Sequence, residues 1–401
     1  RLSLAQDQEL VSSFTVFRML TPLYLGVVLG PLSLAGTINI LPTLSKDFDV
    51  SLSFAGLAVT IFVLALVVVQ LSSGVIAGFF GPSRILVIGL MVFSVSCLTA
   101  AVATSYSVFL VVRAVQGFGV GLTTPVSMGI AAEKAPVGKT STALGGIQAA
   151  FTLGLAVGPI VGGLFAEHLD WRGFYLLLAG AAIIAAAIVL VSYWGQAQWT
   201  GTVNPLLAMK QAVAIPSVRV VSLAGLLTIF AMFGLLIFVA VWLQQMNLAG
   251  PAMSGLLISI PGLVGVFSAP VAGLLGDKVG DFLVVIGGII VFMAGGIGLF
   301  VLPNTVGAYP ILLLLLGIGI ACMMTNVGAM ALSIRPDLRH AVSGVFNGSR
   351  FFGGFLAPLV LTPIYEVVSI KGVLLVIILV SIVVGVVLRV AGLSGEHQNR
   401  V

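Results

Sequence analysis

Only 7% of the 401 residues are charged and 60% are hydrophobic, whereas soluble domains carry about 25% charged residues. A soluble fold of this length is therefore excluded, because it would lack a solvated surface, and the composition is that of an integral membrane protein. The net charge of +5 does not indicate nucleic-acid binding, because basic runs and basic–aromatic alternation are missing from the sequence.

Twelve apolar stretches have the length of about 20 residues that a helix needs to cross a bilayer. A membrane barrel would instead need alternating strands of about ten residues. The sequence therefore predicts an all-α polytopic membrane protein with twelve transmembrane helices. The predicted spans are 20–42, 54–76, 85–104, 107–132, 142–166, 173–194, 220–245, 252–274, 282–302, 308–333, 341–365 and 372–392.

An even number of spans puts both termini on one side of the membrane. Twelve lysines and arginines lie on that side and three on the other. The positive-inside rule then predicts that both termini are cytoplasmic, and the cell membrane is the expected location. The basic excess thus has an explanation that needs no nucleic acid. We expect a monomer in the lipid bilayer.

The second half of the sequence repeats the first at a shift of 199 residues. Because this shift covers six spans, the repeat is parallel, with two six-helix bundles related by an axis along the membrane normal. The predicted division is 1–194 for the first bundle, 195–219 for a cytoplasmic linker and 220–401 for the second bundle. The aligned pairs include Gly26 with Gly225, Gly56 with Gly255, Gly74 with Gly273, Gly81 with Gly280, Gly89 with Gly288, Gly154 with Gly353 and Pro159 with Pro358.

The connection between spans 8 and 9 reads GLLGDKVGD from Gly273 to Asp281. It resembles the hinge pattern G-x-L-A-D-R-x-G-R-K of the major facilitator superfamily, in which the acid is expected to hold a gate closed through helix ends and arginines. The connection between spans 2 and 3 is a relaxed copy with Gly78 in place of the acid. The gating residues that the resemblance implies are Gly74, Gly81, Arg84, Gly273, Asp277, Lys278 and Gly280.

Spans 4 and 5 carry two further patterns of this superfamily. Arg113, Gln116 and Gly117 match R-x-x-Q-G and share one helix face. Span 5 carries glycines at every fourth position, which favours close helix packing, and a proline that bends the helix. This pattern is similar to that of the 12-span drug/proton antiporters, for which the resemblance also links Arg113 to proton coupling. Its members here are Gly154, Gly158, Pro159 and Gly162.

Two arginines lie inside predicted spans, Arg113 in span 4 and Arg350 near the middle of span 11, whereas all twelve acids lie at span ends or in loops. An arginine at such depth is costly unless it faces water or a partner. Either these arginines bond to carbonyls and nearby amides and hold helices together, or they face a central cavity and act on substrate or protons. The sequence leaves both open. The polar candidates for these roles are Gln116, Gln148, Asn326, Asn347 and, as a cavity residue, Asn39.

The resemblance implies a secondary transporter that exports small amphipathic molecules by alternating access, with the proton gradient as energy source and no cofactor. The alternative is a uniporter, symporter or exchanger of a polar metabolite or organic anion, which the two deep arginines and the missing intramembrane acid favour. No nucleophile–base pair, metal cluster or phosphate loop indicates an enzyme. The substrate itself is not identified by the sequence.

Overall fold

The structure is a computed structural model, and it describes residues 2–193, 204–249 and 251–392. Within these ranges every regular element is helical, and eleven segments are long and apolar enough to cross a membrane. The last segment, residues 336–390, makes two crossings, because the backbone leaves the helical region at Ser369 with φ 65° and ψ −165°. The prediction of an all-α protein with twelve membrane-crossing helices is therefore confirmed.

Two of the helices, α2 and α8, are too short to cross a membrane, and α13 contains the break at Ser369. The helices in chain order are α1 (Leu2–Asp47), α2 (Leu52–Ala55), α3 (Leu57–Phe80), α4 (Pro82–Ala101), α5 (Tyr106–Lys134), α6 (Thr140–His168), α7 (Trp171–Tyr193), α8 (Pro205–Ala214), α9 (Pro216–Gln245), α10 (Pro251–Val279), α11 (Asp281–Val301), α12 (Tyr309–Ser333) and α13 (Arg339–Val390).

Two tight turns have the same backbone geometry at equivalent places of the sequence repeat. Gly81 separates α3 from α4 with φ 88° and ψ 134°, and Gly280 separates α10 from α11 with φ 95° and ψ 137°. Residues with a Cβ rarely adopt a positive φ, so both positions need glycine. Each turn lets a new helix begin at the next residue.

The described chain forms two compact units, and two helices pass from one to the other. Helix α6 begins in unit 2 and continues in unit 1, whereas α13 begins in unit 1 and continues in unit 2. The division at 195–219 stays a prediction, and residues 195–203 lie outside the described part of the chain. Unit 1 consists of Arg1–Lys134, Ala150–Ala212 and Asp337–Gly348; unit 2 consists of Ala135–Ala149, Val213–Pro336 and Ser349–Val401.

In unit 1, α5 packs against α3 and α4, and α4 packs against α7. Aromatic rings join α5 to α7, with Phe109 edge-on to Trp171 and Tyr175 at 5.6 Å between centroids in both cases. The indole N–H of Trp171 donates to Asp47 at 2.7 Å, and Arg172 forms an ion pair with the same carboxylate at 2.9 Å. These contacts fix the end of α1 against the start of α7.

In unit 2, α12 packs against α11 and α10 and also contacts α9. The indole N–H of Trp242 and the hydroxyl of Tyr309 both donate to the Pro303 carbonyl, at 3.0 and 2.7 Å. One carbonyl in the connection between α11 and α12 therefore joins the end of α9 to the start of α12.

The two units repeat the same close helix approach. A Cβ at Gly89 of α4 would lie 2.8 Å from the Gly119 carbonyl oxygen of α5. A Cβ at Gly288 of α11 would lie 3.0 Å from the Gly319 carbonyl oxygen of α12. Neither position has room for a side chain, so the parallel repeat of the sequence is also a repeat of packing.

Candidate functional site

Arg113 is fully buried in unit 1 and is held by uncharged groups. Its guanidinium donates to the Ala58 carbonyl at 3.0 Å, to the Ser33 hydroxyl at 3.1 Å and to the Gln116 amide oxygen at 2.6 Å. The ring of Phe62 lies 4.2 Å from the guanidinium carbon. Among the described residues no carboxylate contacts this arginine, and its Nη2 has no hydrogen-bond acceptor. The positive charge is therefore stabilised by the dipoles of these uncharged groups and by the face of the Phe62 ring. The Nη2 group can still donate a hydrogen bond.

The polar groups around Arg113 continue from α1 to α7. Thr37 donates to the Ser33 carbonyl at 2.7 Å and shares a hydrogen bond of 2.9 Å with the Tyr175 hydroxyl. Sequence reasoning paired Arg113 with Gln116, three residues apart on one helix face, and the structure brings these two together. Sequence reasoning did not include Tyr175, because this residue lies in an apolar span that carries no recognised pattern.

Arg350 is buried in unit 2 and lies on α13. Its Nη1 is 3.5 Å from the Gln148 amide oxygen on α6, and the ring of Phe351 lies 5.1 Å from its guanidinium carbon. Gln148 belongs to the first segment of α6, which is part of unit 2. The structure thus places two of the predicted site residues beside each other within one unit.

Asn326 and Asn347 are fully buried and bind backbone carbonyls. The Asn326 amide donates to Ala272 at 3.3 Å and to Cys322 at 2.9 Å, which links α12 to α10. The Asn347 amide donates to the Ser343 carbonyl of its own helix at 2.9 Å. The Asn347 amide also lies 3.2 Å from the sulfur of Met128 on α5. Neither amide contacts an arginine in these interactions, and a role of either residue toward the substrate stays a prediction.

The glycines of span 5 form a row along α1. Gly154 meets the Val28 carbonyl, Gly158 the Leu32 carbonyl and Gly162 the Gly36 backbone, so both rows advance by four residues. Asn39 donates to the Pro159 carbonyl at 2.8 Å just beyond this row. This hydrogen bond adds a side-chain link between α1 and α6.

Asp277 binds the first turn of α6. Its two carboxylate oxygens accept the backbone N–H groups of Ser141 and Thr142, each at 2.9 Å, and it also accepts the Thr142 hydroxyl. Asp281 accepts the Ser141 hydroxyl at 2.5 Å. The first N–H groups of a helix lack partners within the helix and carry partial positive charge, so a carboxylate here satisfies them and favours the helix end. Lys278, next to Asp277, is exposed.

The first turn of α13 in unit 1 lies at the equivalent place but has no such acid. Gly74 packs against the His340 carbonyl as Gly273 packs against the Ser141 carbonyl, with both pairs related by 199 residues. The positions equivalent to Asp277 and Asp281 are Gly78 and Pro82. Arg84, the basic residue that this hinge retains, is exposed. The backbone geometry of the contact is thus kept while both carboxylates are missing.

A different acid contacts α13 in unit 1. His340 is 3% exposed, and its Nε2 lies 3.5 Å from Glu133 at the end of α5. The imidazole rests against Gly129, one turn earlier on α5, where a Cβ would collide with the ring. Sequence reasoning missed this pair because both residues lie at span ends. The sequence repeat could have indicated this place, since the shift of 199 residues aligns His340 with Ser141, which lies in the helix turn that Asp277 binds.

Comparison with known proteins gives consistent results. Residues 23–358 match the family model described as Major Facilitator Superfamily. The chain is 25% identical to the "Multidrug resistance protein B homolog" of Mycobacterium tuberculosis, over 78% of this chain and 69% of that protein. It is 24% identical to the "Tetracenomycin C resistance and export protein" of Streptomyces glaucescens, over 85% of this chain and 75% of that protein.

Two solved structures share the fold at low sequence identity. The human organic anion transporter MFSD10 (TETRAN) matches 92% of this chain and 99% of its own, with a TM-score of 0.75 and 17% identity. The proton:xylose symporter XylE matches 93% of this chain and 95% of its own, with a TM-score of 0.75 and 16% identity. At these identities the similarity establishes the fold and leaves the substrate open.

Proposed function

Since the chain belongs to the major facilitator superfamily and is an integral membrane transporter of small molecules, we propose that it exports amphipathic compounds by proton-driven alternating access. The observation that carries this proposal is the similarity to resistance and export proteins, which extends over 78% and 85% of the chain. The glycine row of α6 along α1, the feature that resembles the drug/proton antiporters, adds support.

Arg113 is the residue through which we propose that protons act. A buried guanidinium with an unused donor can bind a carbonyl or an anionic group, or change the proton affinity of a neighbour. Its contacts to Ser33 and Ala58 join α5 to α1 and α3, so a change at Arg113 is passed to three helices. The proposed location is the cell membrane with both termini in the cytoplasm, as the basic residues predict.

The experiment uses purified protein in liposomes with an imposed pH gradient and a cationic dye as the probe. Proton-driven export predicts that the dye accumulates against its gradient, that protons move in the opposite direction, and that an ionophore which collapses the pH gradient stops accumulation. Protein-free liposomes provide the control for passive dye movement. Dye flux that ignores the pH gradient would contradict proton coupling.

Exchange of an organic anion or polar metabolite is the second candidate, and the buried arginines favour it. Arg113 has only uncharged partners, and its Nη2 has no hydrogen-bond acceptor among the described residues. This suits the binding of a substrate carboxylate, because charge-assisted arginine–carboxylate hydrogen bonds are strong. The same liposomes loaded with a labelled dicarboxylate separate the two candidates. Saturable counterflow of the anion without proton movement would support exchange.

A further inference from the structure

The carboxylate of Asp281 and the amide oxygen of Asn326 point at the same place in unit 2. A Cβ built on Gly276 would lie 2.6 Å from Asp281 Oδ1 and closer still to Asn326 Oδ1. Asn326 is fully buried, and its Oδ1 has no hydrogen-bond partner among the described residues. Two acceptor oxygens on different helices, α11 and α12, therefore lie close together, and the described part of the chain offers one of them no donor.

The orientation of the Asn326 amide follows from its NH2 group. This group donates to the Ala272 carbonyl at 3.3 Å and to the Cys322 carbonyl at 2.9 Å. The opposite orientation would place the amide oxygen against two carbonyl oxygens, which cannot donate. A buried acceptor without a donor costs free energy, so a donor between Asn326 and Asp281 would stabilise this junction of α10, α11 and α12.

Unit 1 has a different arrangement at the equivalent place of the sequence repeat. Ala77 corresponds to Gly276, Pro82 to Asp281 and Ser127 to Asn326. Where the carboxyl and amide groups are missing, a Cβ is accommodated, because Ala77 is fully buried in α3. Where both groups are present, the position is glycine and leaves them room. The oxygen pair is therefore a specific feature of unit 2 and not a general consequence of the fold.

We propose that Asp281 binds a proton and that the resulting carboxylic acid donates a hydrogen bond to the Asn326 amide oxygen. A protonated carboxyl group has one donor and keeps acceptor capacity, so it can still accept the Ser141 hydroxyl. The proton also removes a negative charge beside Asp277, whose carboxylate binds the first turn of α6. When the proton leaves, a second carboxylate stands beside the one that closes α6, and the junction becomes weaker. The site thus makes this helix junction sensitive to pH.

The surroundings of Asp281 act on its proton in both directions. The residue lies at the start of α11, just before the predicted span 282–302, and a helix start favours the ionised form. Burial raises the pKa of Asp281 to about 6, and the negative charge of Asp277 adds to the rise while the Ser141 hydrogen bond opposes it. Residues 140–149 of α6 carry no titratable side chain. The remaining titratable residues of α10 and α12, and of the connections next to α6 and α12 in unit 2, are Lys278, Tyr309, Cys322, Lys139 and Arg335.

Infrared spectroscopy of the purified protein tests the proposal, because a protonated carboxyl and a carboxylate absorb at different frequencies. The difference between spectra at about pH 5 and about pH 8 should contain a protonated-carboxyl band that Asp281→Asn lacks. Asn326→Ser, which introduces the residue of unit 1, should shift this band, since the proton loses its acceptor. Glu366→Gln removes an exposed acid of unit 2 and should leave this band in place.

Thermal unfolding in detergent measures the same proton by its effect on stability. The native carboxyl keeps a proton that the unfolded chain releases, so the wild type should lose stability as the pH rises between the unfolded and native pKa values, about 4 and about 6. Asparagine carries an NH2 group that can donate to Asn326 at every pH. The melting temperature of Asp281→Asn relative to the wild type should therefore be higher at about pH 8 than at about pH 5, by about 2–4 °C.

An infrared band that persists in Asp281→Asn would overturn the proposal. So would a melting-temperature difference between this variant and the wild type that is the same at both pH values. Replacement of choline chloride by sodium chloride at constant ionic strength tests a cation as the occupant. Stabilisation by sodium that requires Asp281 would assign the place to a cation and would also overturn the proposal. None of these measurements involves transport, so the inference is tested independently of proton-driven export.

Discussion

The carboxylate of Asp277 accepts the backbone N–H of Thr142 at 2.9 Å and also that of Ser141, so one side chain of α10 closes the open end of α6. Because α6 begins in unit 2 and continues in unit 1, this contact holds a helix that belongs to both. The alternating access that we propose would release such helix ends and bind them again. We therefore expect Asp277 to control the balance between two states of the transporter.

Asp277→Asn should impair transport more than Gly78→Asp changes it. Asparagine keeps an acceptor but loses the charge that favours the helix end, at a cost of about 1 kcal/mol and up to about 2. Such a cost shifts a two-state balance by roughly five- to thirtyfold. Dye flux into liposomes measures the effect, and the amount of folded protein after gel filtration is the control. Equal or reversed effects of the two variants would contradict this role.

Glu133 and His340 should show a small, pH-dependent coupling in unit 1. Glu133 is half exposed, so the coupling is about 0.5–1 kcal/mol. Lys134 on α5 and Arg339 on α13 also lie near this carboxylate, whereas α3 carries no titratable residue. The hydrogen bond from His340 lowers the pKa of Glu133, so the contact favours the ionised carboxylate. A double-mutant cycle with Glu133→Gln and His340→Gln, read from thermal unfolding in detergent, should give this coupling at about pH 7 and lose it as the pH falls through the range in which the carboxylate is protonated. A coupling that is absent at about pH 7, or that persists once the carboxylate is protonated, would contradict this contact.

The sequence predicted the twelve crossings because a span of about 20 apolar residues has few structural alternatives in a bilayer. It also predicted the repeat, since glycines such as Gly89 and Gly288 are required wherever two backbones touch. The resemblance implied that Asp277 binds a helix end, but it did not show which one, because backbone N–H groups of a distant helix leave no trace in residue identity. The Glu133–His340 contact was missed for a different reason. Both residues lie at span ends, where a charged or polar side chain is ordinary, and the missing acid at Gly78 did not show which other acid lies near the start of α13.

Gly158→Ala should destabilise the protein, whereas Gly180→Ala should not. A Cβ at Gly158 would lie 2.8 Å from the Leu32 carbonyl oxygen and 2.9 Å from the Ala35 Cβ, so α6 and α1 would have to separate. Overpacking of this kind costs about 1–3 kcal/mol. Gly180 has open space at the same position and gains helix propensity with alanine. The apparent melting temperature in detergent should fall for the first variant alone. An equal change in both would mean that the close approach of α1 and α6 contributes nothing to stability.

Arg113→Lys should remove proton-driven transport while the protein still folds. Lysine keeps the positive charge, but it cannot hold Ala58, Ser33 and Gln116 in the planar fork that the guanidinium provides, nor stack on Phe62 in the same way. Arg113→Ala should also lose coupling and lower the melting temperature further, because it empties a fully buried site. Gln116→Leu is the matched control variant, because it removes one hydrogen-bond partner of Arg113 while the arginine itself stays in place. Normal pH-driven dye accumulation by Arg113→Lys would assign this residue to packing alone, and accumulation that is lost only together with folding would do the same.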